Sequence, residues 1–442
     1  YIARNLLKDD GVIFVSCDDN EVYNLRCLMN EIFGEENFVA AVIWHKMDSP
    51  KNSARHFSDD HDYIVVYAKN AEVWRPNLIP RSEKMLSRYK NPDNDPRGPW
   101  LLGDLAARNP YAAGIYPITT PKGRVIDGPP AGSYWRVSKE KFRELEKDGR
   151  IWWGENQDNR PGIKRFLNEV KEGVIPQTYW SWKDVGSTRH SKRQLSEALD
   201  AKSGDLLFDT PKPIKLIQRI LQIGTDGISE DVVMDFFAGS GSTMDAVLQQ
   251  NVEDDGNRRC ILVQMAEPLN ADNAEFSDIA QVARTRVRKA LEKLHSADDL
   301  LNKLPAGEGF RAYRLAASCF PQWRPQSFDN AEELAEQIRL FMDADNSESN
   351  HEAIAQELLL KSGYPLTTAI TAQTIADVSV YSVDDGNLIL ILEAFNADMI
   401  EPLMAMQPDR IIVLDAVFND SDQLKANLAL QCRDAETALY CM

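Results

Sequence analysis

Short apolar runs bracketed by polar turn residues recur along this chain, a pattern that predicts strands and helices alternating through α/β domains. Residues 2–7 read as a helix, and NFVAAVIWHK and DYIVVYAKN read as strands. SKEKFRELEKDG is an amphipathic helix that opens on a capping Ser138 and stops at Gly149. Farther on, VVMDFFAGSGSTMDAVL (residues 232–248) passes from the buried-strand residues Val232, Val233 and Met234 through a Gly-rich turn. It then enters a helix begun by Thr243, Ala246 and Val247. Lys212 and Pro213 of FDTPKPIKLIQRIL open a helix before this turn, and ILVQMAEP gives a second apolar strand after it. FSDIAQVARTRVRKALEKLHSA reads as a helix, and NAEELAEQIRLFMDADNSESNHEAIAQELLLKSG as two helices split by a polar loop. VSVYSVDDGNLILILEAF then predicts a β-hairpin around Asp385 and Gly386, followed by a further helix and the strand RIIVLDAVF.

The chemistry concentrates at the Gly-rich turn. Gly239 and Gly241 permit a tight backbone path and a close ligand approach that a Cβ would block. The turn alone is an unspecific signal, since many α/β proteins use one merely to pack a helix on a strand. Glu267 narrows the choice: it ends the second strand, where a carboxylate accepts hydrogen bonds from the two hydroxyls of a ribose. A nucleoside-containing ligand fits that spacing. The run Gly239, Ser240, Gly241, Ser242, Thr243 lacks the second glycine pair of a dinucleotide fingerprint, so an uncharged or zwitterionic ligand suits it better than a pyrophosphate.

DFFAGSGST, preceded by TPKPIKLI, resembles the S-adenosylmethionine loop and preceding motif of the permuted class of DNA amino-methyltransferases, in which the catalytic half comes before the cofactor half. YIARNLLKDDGVIFVSCDDNEVYNLRCLMNEIFGEENFVAAVIW, HDYIVVYAKN, GFRAYRLAASCFPQW and IIVLDAVFNDSDQLKANL resemble successive segments of the modification subunits of type III restriction-modification systems. The resemblance implies a Rossmann-like S-adenosylmethionine-dependent methyltransferase sheet of the α/β class, an inserted DNA-recognition domain and a C-terminal α+β domain. It implies transfer of a methyl group to adenine N6 in double-stranded DNA, with the adenine flipped out of the duplex. A homodimer working with a helicase-nuclease restriction subunit follows from the same likeness. One departure stands out. The family's catalytic tetrad, an Asp, Asn or Ser followed by two prolines and an aromatic, is nowhere in these 442 residues; Gly128-Pro129-Pro130-Ala131 and Asn109-Pro110-Tyr111 both fail the pattern. With Tyr1 in place of Met, this reads as an N-terminally incomplete protein, and no catalytic residue is assigned.

Charge distribution sharpens the domain picture. The net charge of −18 argues against a nucleic-acid partner, but residues 81–193 carry 22 Lys+Arg against 14 Asp+Glu, whereas residues 298–442 carry 9 against 24. Six of the nine tryptophans also fall in the basic stretch: Trp100, Trp135, Trp152, Trp153, Trp180 and Trp182. The expected organisation is therefore 1–80, the remainder of the catalytic half; 81–205, a surface-reading recognition insertion; 206–297, the cofactor-binding half; and 298–442, an acidic α+β domain for dimer or subunit contacts. No apolar run is long enough to span a bilayer and the start is not a signal peptide, so a cytoplasmic protein with no membrane partner is expected. The six cysteines lack zinc-ligand spacing; they read as reduced packing residues, and no metal is assigned.

Each candidate has a bland reading beside the functional one. Asp235 either caps the turn or, as the resemblance implies, lies near the charged amino-acid end of the methyl donor. Phe237 either packs in the core or faces an adenine ring, and Ser242 and Thr243 either cap a helix or touch ligand. Lys212 and Pro213 join the cofactor set through the motif they belong to. Arg189, Lys192 and Arg193 are either a solvated helix start or contacts to DNA phosphates. His45, His56, His61 and His190 are read as solvated loop residues. Two rivals remain: an N4-cytosine methyltransferase on the same frame, and a non-catalytic DNA-binding subunit retaining the cofactor fold.

Overall fold

The computed structural model describes residues 1–200, 210–269, 276–296, 309–320 and 351–442. They form two compact units, Tyr1–Gly309 and Phe310–Met442.

The first unit is organised by the strand His61–Ala68. It pairs antiparallel with Val12–Cys17 on one side and with Phe38–His45 on the other, and Tyr179–Ser181 adds a fourth, parallel strand beyond Phe38–His45. From Tyr63 to Ala68 its sequence is continuously apolar because both faces are covered. Ile64, Val66 and Ala68 pack with Trp44, Trp180, Leu216 and Ile223, while Val65 and Tyr67 pack with Met29 and Phe33 of the helix Val22–Phe33.

A second, two-stranded parallel sheet joins Val232–Asp235 to Arg259–Leu262 through the crossover helix Ser242–Asp254. The helix Ile214–Gly224 serves both sheets. Its residues Leu216, Ile220 and Ile223 enter the core of the first, while Ile214, Ile217 and Leu221 pack with Val233 and Cys260 of the second. That double duty explains why IKLIQRILQIG is apolar around so much of its circumference. Among the described residues, Val12–Cys17 and Val232–Asp235 each pair along one edge only, and Lys8 reaches Asp231 at 3.1 Å just ahead of the second of them.

Residues 79–174 form the insertion. The chain leaves and returns through an antiparallel bridge in which Ile79 and Val174 exchange both backbone hydrogen bonds at 2.8 Å. Inside are the sheet Trp100–Asp104, Gly162–Phe166, Ile151–Trp152 and the helix Lys139–Lys147, capped by Ser138 as expected. Two expectations are corrected here. Four of the six tryptophans are core rather than surface: Trp100, Trp135, Trp153 and Trp180 are buried, Trp135 and Trp153 together with Leu105, Tyr116 and Phe142 in the insertion's own core, while Trp152 and Trp182 are partly exposed. Nor does the insertion run to residue 205, because Tyr179–Ser181 already pairs with Phe38–His45 and Trp180 is buried in the core that holds Trp44.

The second unit is a five-stranded sheet in sequence order, Ile370–Ile375, Val378–Val383, Leu388–Ile391, Arg410–Val413 and Ala438–Cys441; its first two pairings are antiparallel and its last two parallel. Strand alternation sorts its core. Ile389, Ile391, Ile411 and Val413 pack with Leu403, Leu428 and Cys432 of the helices Ile400–Ala405 and Asp422–Asp434, and Leu388, Leu390 and Ile412 pack with Ile354, Leu358 and Leu359 of His351–Lys361. The expected hairpin at Asp385 and Gly386 is present. A tighter one turns at Ala376 and Asp377, both at positive φ (47° and 64°), without the glycine that would have announced it. The helix expected over residues 330–350 lies outside the described residues.

Candidate functional site

The Gly-rich turn is assembled from the carboxylate at the end of the strand. One oxygen of Asp235 accepts from the backbone N–H of Phe237 at 3.1 Å, and the other accepts from the Thr243 hydroxyl at 2.6 Å, so the strand end and the first helical turn are pinned to one side chain. Asp235 is thus a turn cap in this structure, and Thr243 is its partner. Gly239 and Gly241 lie at φ 52° and 78°, the left-handed region that favours glycine. A Cβ on Gly241 would meet the carbonyl oxygen of Ala283, in the helix Ile279–His295, at 3.1 Å. Gly241 therefore answers to helix packing as well as to the tight backbone path expected of it. Phe237 projects outward, 82% exposed, with its ring 5.2 Å from that of Phe236.

Ser242 is buried and accepts from Arg286 at 2.7 Å, which turns its hydroxyl to the protein interior. Glu267 is exposed and stands five residues past the end of Arg259–Leu262, its carbonyl accepting from Ile279 N–H at 3.2 Å. The side chain that does meet the turn from this segment is Gln264, whose Oε1 accepts from Gly239 N–H at 2.7 Å. The strand pairs only over Arg259–Leu262, not to Glu267 as the apolar run suggests, which places Gln264 just beyond its end. Arg286 was missed too, although a charge on the apolar face of Val282, Ala283 and Val287 signals a buried pair.

Lys212 donates to Asp62 at 3.2 Å and lies 5.0 Å from the centre of the Trp44 ring, and Pro213 caps Ile214–Gly224. Asp62 also receives Lys46 at 2.7 Å. Burial opposes the charge on Lys46, but its bonds to Asp62 and Asp59 prevail and raise its pKa. Arg189, Lys192 and Arg193 sit on the helix Thr188–Ala198, which follows the return strand and so lies outside the insertion. Arg189 pairs with Asp48 at 3.1 Å and Arg193 with Glu197 at 3.3 Å, and both side chains are about three-quarters exposed. His190 completes the capping box of this helix with Ser187, and His45 meets the Tyr179 hydroxyl at 3.1 Å. No group of metal-ligating side chains occurs among the described residues, and none of their helices is long and apolar enough to cross a membrane.

A family model for DNA methylases matches residues 1–267. The chain belongs to the DNA methylase family. As a DNA methylase it is 33% identical over 324 residues to the Mod subunit of the type III restriction-modification enzyme StyLTI of Salmonella typhimurium, a match covering 72% of this chain and 47% of that protein. It is 28% identical to the EcoPI Mod subunit of Escherichia phage P1 and 24% identical to the EcoP15I Mod subunit of Escherichia coli, each match covering 98% of this chain and 69% of the relative. The chain thus spans about half the length of the first of these relatives and about two-thirds of the other two.

Proposed function

We propose that this chain binds S-adenosylmethionine at the turn of residues 235–243 and serves as the modification and recognition subunit of a type III restriction-modification system, directing methyl transfer to adenine N6 in duplex DNA. The observation that carries the reading is the turn itself: two left-handed glycines between a parallel strand and its crossover helix, in a member of the DNA methylase family whose relatives include Mod subunits. When bound, the donor supplies an electrophilic methyl group on sulfur. The chain's part is to shape the turn and present a rim. Gly239 supplies the left-handed backbone the turn needs without a Cβ, Phe237 offers an exposed ring for the adenine, and Gln264 and Glu267 stand on the segment that follows the second strand, where a ribose would lie. Transfer to an exocyclic amine also needs an oxygen acceptor for its hydrogens and a stacking ring for the flipped base, which the family takes from its tetrad; these 442 residues contain no such tetrad.

Residues 79–174 are assigned to sequence reading, on their basic balance. Arg189, Lys192 and Arg193, on the helix after the return strand, are assigned to phosphates, which fix register without reading bases. The acidic second unit is assigned to protein contacts, a second copy or the restriction subunit, in a cytoplasmic complex. Calorimetry with S-adenosylmethionine tests the central claim. Wild type should bind, and Gly239→Val should not, although the variant, strained by a β-branched residue at positive φ, is less stable and is compared at a temperature where it is folded; equal affinity in the two would remove the turn from the account.

A further inference from the structure

Arg286 lies in the middle of Ile279–His295 and is completely buried, a costly place for a charge. Its Nε donates to Asp245 at 2.9 Å, and its Nη1 donates to the hydroxyls of Ser242 at 2.7 Å and Ser240 at 3.2 Å. Ser240, Ser242 and Asp245 are buried as well. The two serines flank Gly241, and Gly241 rests against Ala283 one turn earlier on the same helix. One helix therefore grips the turn at three consecutive residues, through buried groups, whereas Phe237 is exposed. The electrostatics are otherwise unfavourable: a cation sits near the N-terminus of Ser242–Asp254, where the helix dipole repels it, and Nη2 is buried without a partner. Asp245 balances the charge, but it does not require two serines. Nη1 alone bonds both hydroxyls while Nε holds Asp245, so the rigid guanidinium fixes the two serines relative to the crossover helix.

We infer that Arg286 is a positioning residue for the methyl-donor turn, holding residues 240–242 in their binding conformation from behind and making no contact with the ligand. The inference rests on the cofactor reading above. A turn released from Arg286 samples other conformations, and apparent affinity falls by the fraction of molecules still competent.

The test compares the full chain with Ser240→Ala/Ser242→Ala, Arg286→Lys and Arg286→Met. The double serine variant keeps the Arg286–Asp245 pair and so keeps the buried charge compensated. It should bind S-adenosylmethionine about tenfold more weakly, as expected when only a tenth of the turns are competent. Losing both acceptors of a buried nitrogen should lower its unfolding temperature while leaving it folded at about 25 °C, where affinity is measured. Amide hydrogen exchange should rise at residues 239–243 and stay unchanged in His61–Ala68. Arg286→Lys, which restores charge without the fork, should not rescue affinity. Wild-type affinity and wild-type exchange in the double variant would overturn the inference, even if Arg286→Met fails to fold. Should wild type itself show no affinity for S-adenosylmethionine, the cofactor reading falls, and exchange at residues 239–243 alone decides whether Arg286 positions the turn.

Discussion

The backbone N–H of Gly239 donates to the side-chain oxygen of Gln264 at 2.7 Å, which ties the middle of the turn to the chain just beyond the neighbouring parallel strand. This bond ties the two βα segments together at the point where a nucleoside would lie across them. Gln264→Ala leaves the Gly239 N–H without this acceptor and the turn free to move, and should weaken S-adenosylmethionine about five- to tenfold. Gln264→Glu keeps an acceptor in place and should bind within about twofold of wild type. Calorimetry on the three proteins distinguishes an acceptor role from one in which the amide group itself is read; in the second case Glu would fail as badly as Ala.

Gly241 and Gly239 should separate on substitution. At Gly241, Ala meets both a φ of 78° and the Ala283 carbonyl, so urea unfolding should show a loss of about 1–3 kcal/mol. Gly239→Val carries backbone strain too, at φ 52°, so the separation is read in ligand binding, which it should abolish in protein that is still folded. If Gly241→Ala left stability untouched while abolishing binding, the packing role given to that glycine would be wrong.

The sequence made the turn legible because three signals coincide there: an apolar strand, paired glycines and a helix start. Its supports were less legible. Asp235 and Thr243 were candidates, but their mutual bond joins residues eight apart in sequence and appears only once the chain reverses at left-handed glycines. Glu267 is legible because a carboxylate advertises hydrogen-bond chemistry; Gln264 is not, because an apolar run does not mark the residue at which a strand stops pairing. The tryptophans misled for a related reason: aromatic residues serve surface stacking and small cores equally, and composition does not separate the two. The second unit's last helix and strand, Asp422–Asp434 and Ala438–Cys441, went unread because the strand is only four residues long and mostly exposed.

The insertion should be sensitive to acid through one cluster. Lys164, buried, donates to Asp93 and, at 2.9 Å, to Asp95, while Arg97 binds Asp95 through two nitrogens, both at 2.9 Å. The bonds from Arg97, joined by those from Lys164, hold the Asp95 carboxyl well below the usual carboxylate range, against the opposing effect of burial. A depressed folded-state value contributes stability that is complete above the unfolded value of about 4 and is lost as pH falls below it. Thermal unfolding followed by tryptophan fluorescence should show the insertion weakening below about pH 4. Asp95→Asn should remove about 3 kcal/mol at neutral pH and flatten that acid limb. An unchanged acid limb in the variant would assign the loss to other carboxylates.

Cysteine reactivity offers an independent check on the second sheet. Burial, with a smaller contribution from Asp235, pushes the Cys260 thiol up to about 12, and burial pushes Cys432 up to about 11. A thiol with a value near 12 is thiolate in only ~10⁻⁴ of molecules at pH 8. Iodoacetamide should therefore modify the exposed Cys27 in the native protein and reach Cys260 and Cys432 only after unfolding. Rapid native labelling of Cys260, read by peptide mass spectrometry, would mean that Val232–Asp235 and Arg259–Leu262 are not packed under Ile214–Gly224 as described.

The neck at Ile79 and Val174 makes the recognition role separable from the fold. Its two strands exchange both backbone hydrogen bonds, so residues 80 and 173 are close enough to be joined by a short Gly-Ser linker, and the insertion's aromatic core is contained within itself. Deleting residues 81–172 should leave a folded chain that still binds S-adenosylmethionine and has lost sequence-specific DNA binding, retaining only a weak, strongly salt-dependent affinity. Deleting residues 81–205, the limits that charge and composition alone suggest, should behave differently. That cut removes Tyr179–Ser181 from the edge of Phe38–His45, takes away Trp180, and strips Trp44 of its bond to the Gly186 carbonyl at 3.0 Å. It exposes one face of the first sheet, and the chain should aggregate or unfold at room temperature. Circular dichroism and calorimetry on the two deletions decide the matter: equal stability would mean that the return strand is dispensable, and specific DNA binding by the shorter deletion would place sequence reading outside residues 79–174.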